Sequence, residues 1–199
     1  MAWDKGFNFR ATDAYVTDGA NETYVRDFDA YPVTRNGVTF GWTSSAPLGS
    51  DQHAAGDRRL AGINYSQNNN EVLTFRVDLP AAADYIITLA NGHFSSTISN
   101  NKIEFLDDTT SRAIDAQASI TADNYNDASN VIRTEANWPG QNVTITRTFN
   151  TTIFNMKIGD SVSAGYTCVN HLFLSQVTGA SAQSVIATRH IVTPVWRVG

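Results

Sequence analysis

The stretch Thr74-Phe-Arg-Val-Asp-Leu-Pro-Ala-Ala-Ala-Asp-Tyr-Ile-Ile-Thr-Leu89 decides the fold class. Phe75, Val77 and Leu79 alternate with Thr74, Arg76 and Asp78. Successive side chains of a strand leave on opposite sides, so the pattern makes one apolar and one polar face. Pro80 has no N–H to donate and fixes its own φ, which ends the strand. Three alanines and Asp84 lead to a second alternating run, Tyr85, Ile87 and Leu89. The pair reads as a β-hairpin or as a connection between two sheets. Burial of Phe75, Val77 and Leu79 stabilises by roughly 1.5–3 kcal/mol each. Nothing in the stretch carries catalytic chemistry.

The pattern recurs on both sides of this stretch. Phe7 and Phe9 flank Asn8 in a short first strand. Asn36-Gly37 signals a tight turn, and Val38, Phe40 and Trp42 follow on one face. On that face Trp42 reads as core. Ile63 and Tyr65 open a further run before the central pair, and Ile103 and Phe105 follow it. Val143, Ile145 and Phe149 alternate with Thr144, Thr146 and Thr148, and Ile153 to Ile158 and Cys168 to Leu174 close the set. Asp13 to Asp29 and Thr43 to Gly56 read as polar, turn-rich segments, and Ser111 to Asn137 as irregular strand and loop. No window of about eleven residues holds a helical stripe.

The expected architecture is all-β, a jelly-roll β-sandwich of about eight to ten mostly antiparallel strands. It is expected over residues 1–177, with 178–199 forming a linker plus a C-terminal arm or strand. Thr178 to Ser184 are small and polar, and Ile191, Val192, Val195, Trp196 and Val198 follow them. Those five residues are the candidate partner-contact arm. They either dock on their own domain or add a strand to a neighbouring subunit.

A chain of 199 residues suits one all-β domain. Its net charge is −5, and Lys and Arg total 14 with no basic run. Nonspecific nucleic-acid binding runs on phosphate neutralisation, so no nucleic-acid partner is expected. Cys168 is the one cysteine, which excludes an internal disulfide and places a small thiol in the core. The opening Met-Ala-Trp-Asp-Lys-Gly has no charged-then-apolar leader pattern, and no apolar run approaches the ~20 residues that span a bilayer. The expectation is a soluble chain made in the cytoplasm, with no signal peptide and no membrane partner. The sequons at Asn21, Asn64, Asn142 and Asn150 are then Asn/Thr-rich surface.

No enzyme is expected. Gly159-Asp-Ser-Val-Ser-Ala-Gly-Tyr166 resembles the nucleophile block of GDS-type esterases. That chemistry needs a base within reach of Ser161, supplied by a downstream Asp-x-x-His. His171 and His190 have no Asp three positions before them, so the block reads as a β-turn. Glycoside hydrolysis needs two carboxyl groups at a set separation. Glu occurs only at positions 22, 71, 104 and 135, and the Asp residues sit in turn-like contexts. No cofactor is expected. No His/Cys set has zinc spacing. Asp107-Asp108, or Asp123 with Asp127, has the ligand type for a structural calcium. Arg58-Arg59 reads as an anion clamp or an ion-paired face.

The order of motifs resembles the galactose-binding-like jelly rolls of carbohydrate-binding modules and malectin-like domains. The residues that carry the resemblance are Gly6-Phe7-Asn8-Phe9, Val38-Thr39-Phe40-Gly41-Trp42, Phe75 to Pro80 with Asp84 to Leu89, and Thr146 to Phe149 before Phe154 to Ile158. It covers about residues 6 to 176. The chain also resembles stand-alone proteins of this type among tailed-phage structural genes. The resemblance implies a non-enzymatic virion protein, a head decoration or a tail or fibre component, with other virion proteins and copies of itself as partners. It implies, as the alternative, a lectin-like module for surface glycans, using Tyr65, Asn91, His93, Phe94 and Trp138, with Asp123 in support. A small esterase or glycosidase is the remaining alternative.

Overall fold

The structure, a computed structural model, describes residues 3–12, 21–51, 59, 62–66, 71–90, 102–106, 120–121, 143–159 and 167–178. Among these residues there is no α-helix, and fourteen strands form where about eight to ten were expected. In chain order they are β1 Asp4–Arg10, β2 Glu22–Arg26, β3 Val33–Arg35, β4 Val38–Trp42 and β5 Leu48–Asp51. Then come β6 Gly62–Tyr65, β7 Leu73–Asp78, β8 Asp84–Ala90, β9 Lys102–Leu106 and β10 Ile120–Thr121. The last are β11 Val143–Thr148, β12 Ile153–Ile158, β13 Cys168–Val169 and β14 His171–Gln176.

One sheet has the order β11-β8-β14-β1-β2, the second β10-β9-β12-β7-β4-β3, and a small third β13-β6-β5. Named strands pair antiparallel throughout, except β1 with β2, which run parallel. The chain passes repeatedly from one large sheet to the other, giving an all-β sandwich. The quoted stretch becomes β7 and β8, in different sheets, so it is a sheet-to-sheet connection and not a hairpin. Pro80 to Ala83 make the crossing, tied by the Tyr85 Oη bond to the Ala81 carbonyl at 2.9 Å.

The inner faces follow the sequence alternation. Phe75, Val77, Tyr85, Ile87 and Leu89 are fully buried. Phe75 is the hub of an aromatic cluster, with ring centroids at 5.0 Å to Phe9, 5.3 Å to Trp42 and 5.6 Å to Phe7. Offset and edge-on rings at these distances add to the stabilisation from buried area. Trp42 and Cys168 are core residues, as expected. Asn36 and Gly37 both have positive φ, 49° and 74°, which matches the twist of a two-residue hairpin between β3 and β4.

Three expectations are corrected. Asn64, expected on an Asn/Thr-rich surface, is fully buried. The turn-rich reading of Asp13 to Asp29 hid β2, whose Thr23 and Val25 alternate with Tyr24 and Arg26. The polar-loop reading of Thr43 to Gly56 hid β5, Leu-Gly-Ser-Asp, which has no apolar alternation and forms because β6 pairs with it. The third sheet built from β5, β6 and β13 seats on the end of β1. A Cβ on Gly62 would fall 2.5 Å from the Phe9 carbonyl oxygen and 2.6 Å from Arg10 Cβ, so only glycine permits that approach. Ser111 to Asn137, apart from Ile120–Thr121, and the expected linker and arm beyond Thr178 lie outside the described residues.

Candidate functional site

Of the residues singled out for glycans, only Tyr65 is described. It lies half-buried on β6, opposite Leu48 and Cys168. Asn91, His93, Phe94 and Trp138 lie outside the described residues, as do Asp107, Asp108, Asp123, Asp127, Arg58, Ser161 and the arm residues Ile191, Val192, Val195, Trp196 and Val198. Among the described residues, no group of three His, Cys, Asp or Glu side chains could hold a metal.

The described residues instead bring together a site that the sequence reading missed. Glu22, Tyr24 and Arg26 leave β2 on the face opposite Thr23 and Val25, and Phe28 continues the stripe just past the strand. Arg26 Cζ stands 4.5 Å from the Phe28 ring centroid and 5.6 Å from that of Tyr24. Arg35, arriving from β3, lies 4.3 Å from the Tyr24 centroid. A guanidinium over an aromatic face is attracted by the ring quadrupole, and the contact orders both side chains. Phe28 is 61% exposed, the most exposed of the large apolar side chains described.

Asp29 fixes this arrangement. Its carboxylate is buried and accepts the Arg26 backbone N–H at 2.8 Å, Arg26 Nε at 3.1 Å, Arg35 Nη2 at 2.7 Å and Arg35 Nη1. Burial alone would raise its pKa, but the Arg35 hydrogen bonds, the Arg26 N–H and both positive charges outweigh that and hold it below the usual 3.8. Asp27, one position from the stripe, accepts the Gly49 N–H at 3.1 Å, and burial raises its pKa.

The same side chains close the outer edge of β2. Asn36 Nδ2 donates to the Glu22 carbonyl at 2.6 Å, and Arg35 Nη1 to the Tyr24 carbonyl at 3.1 Å. With the Arg26 N–H on Asp29, two carbonyls and one N–H along this edge are engaged, which opposes strand addition there. What the corner offers outward is side-chain chemistry. A second polar group lies farther round. Arg76 Cζ is 4.4 Å from the Tyr31 centroid, and Asp78 takes Tyr31 Oη and Arg76 Nε, each at 2.9 Å.

The stripe continues into a buried polar layer over β1. Glu22 reaches across Gly6 to His171, with Nε2 and Oε2 at 2.8 Å. A Cβ on Gly6 would overlap that carboxylate. Asn8 and Arg10, on the same outer face of β1, are fully buried, with Arg10 Nε on Asn8 Oδ1 at 3.3 Å. Asn64 Nδ2 donates to the Arg10 carbonyl and Asn170 Nδ2 to the Gly62 carbonyl, each at 3.0 Å. This layer is a tie between sheets. The signal that could have found the stripe was the period-two spacing of Tyr24, Arg26 and Phe28.

No family model and no curated protein matches the sequence. Two solved structures are similar in fold. Protein YXIM of Bacillus subtilis matches at 13% identity and a TM-score of 0.54, over 88% of this chain and 40% of that one. The ANX2 ectodomain of Arabidopsis thaliana matches at 11% identity and a TM-score of 0.48, over 89% of this chain and 50% of that one. The chain thus spans half or less of each neighbour's length. The likeness to the Bacillus protein is one of fold, and function has to be argued from the site.

Proposed function

We propose that this chain is a non-catalytic, glycan-binding sandwich, and that the Tyr24–Arg26–Phe28 stripe is its contact surface. The observation that carries the reading is Phe28, 61% exposed beside the ordered Arg26 guanidinium. A pyranose presents C–H groups on its faces and hydroxyls round its rim. An exposed aromatic ring receives the first and guanidinium N–H donors receive the second. Tyr24 and Phe28 flank Arg26, whose Cζ stands 5.6 Å and 4.5 Å from their ring centroids, so both rings and the guanidinium border one contact surface.

Affinity electrophoresis and a glycan array test the reading. Phe28→Ala is expected to remove binding while changing stability by no more than about 0.5 kcal/mol, since the ring is largely exposed. An array blank at millimolar glycan, with folded protein, would sink it. A virion setting, with other virion proteins and further copies of this chain as partners, is the wider proposal in which such a surface would sit outermost. It draws on the sequence resemblance, and mass spectrometry of purified phage particles would decide it.

A further inference from the structure

We infer that the saccharide held at this stripe is acidic, and that Arg26 binds its carboxylate. The inference rests on the glycan-binding reading and goes beyond it to the ligand's charge. Asp29 supplies one negative charge to two guanidinium groups. Arg35 commits both its Nη atoms to that carboxylate, and its side chain is only 15% exposed. Arg26 commits its Nε alone, and its side chain is 27% exposed. With Nε pinned, the Nη1/Nη2 edge is the one left to offer, and it has no hydrogen-bond partner among the described residues. Two parallel N–H donors in one plane match the two oxygens of a carboxylate.

The carboxylates bordering the stripe do not compete for that edge. Glu22 is turned across Gly6 onto His171. Asp27 accepts the Gly49 N–H at 3.1 Å. The corner therefore keeps one guanidinium edge with no carboxylate bonded to it, on a protein whose net charge is −5. That overall charge repels polyanions at long range, and screening limits it to about 8 Å at physiological salt. A bound acid must then be recognised by the fork and by the flanking ring of Phe28, not by bulk attraction.

The test is an array of uronic-acid oligosaccharides beside the same glycans with the carboxyl reduced to an alcohol, probed with the intact chain. Binding is expected to the acids, weaker by at least about tenfold after reduction, the equivalent of losing one charge-assisted bond. Arg26→Gln is expected to lower affinity for the acids to that of the reduced glycans. Arg26→Lys keeps the charge, loses the fork and should fall between them. If reduced and acidic glycans bind equally, the acid inference is overturned and the glycan reading survives. If neither set binds, both fall. The comparison between ligands uses unaltered protein, so it stands even if the Arg26 variants fail to fold.

Discussion

Phe7, Phe9 and Val25 leave β1 and β2 toward the other large sheet, while Asn8, Arg10, Glu22, Tyr24 and Arg26 leave the same two strands outward. The inner set is fully buried, and so are Asn8 and Arg10. Burial is shared; the force that accompanies it is not. The inner face closes by removing apolar area from water, which is non-directional and tolerates many partners. The outer face closes through hydrogen bonds and ion pairs, each needing a particular atom at a particular distance. The first face makes the fold and the second makes a surface with chemical identity.

The contrast can be broken first from the inside. Phe75→Ala removes the ring round which Phe7, Phe9, Phe40 and Trp42 pack and is expected to cost about 4 kcal/mol, read by urea unfolding. A cost below about 1 kcal/mol would mean that the inner face is not organised round that ring. On the outer side, Asp29→Asn leaves Arg26 and Arg35 without their shared charge and is expected to cost about 3 kcal/mol at neutral pH. The sign with pH follows from the lowered pKa. The Asp29 contribution is complete above the ordinary value of 3.8 and is lost as pH falls through the folded-state value beneath it. The variant should lack that part of the acid limb, and an unchanged acid limb would count against the Asp29 hub.

Smaller effects sharpen the comparison. Gly62→Ala drives a methyl into the backbone of β1 and is expected to cost about 2 kcal/mol, with the loss appearing as faster amide exchange in β6. Thr23 is a polar exception on the inner side, 1% exposed, with an Oγ1 that has no hydrogen-bond partner among the described residues. Thr23→Val keeps the shape and removes that unpaired hydroxyl, so a gain of about 1 kcal/mol is expected in the same unfolding assay. A loss there would show that the hydroxyl is satisfied in solution.

The strands legible in advance were those with a clean inner face: Phe7–Phe9, Val38–Trp42, and the Phe75–Leu79 and Tyr85–Leu89 pair. Strand β5 was not legible, because Leu-Gly-Ser-Asp carries no periodic signal and becomes a strand only once β6 lies beside it. Strand β2 was legible in principle but lost among turn residues. The stripe is hidden with it, since Tyr24, Arg26 and Phe28 stand among turn-forming residues in the sequence.

By itself the sequence determined the class of the fold, since period-two alternation is a property of neighbouring residues and needs no partner to be read. Tertiary structure alone decided that Glu22 meets His171, 149 positions away, and that Asp29 gathers Arg26 and Arg35. Directional bonds between strands depend on register and sheet order, and those are settled only when the apolar faces have already found one another.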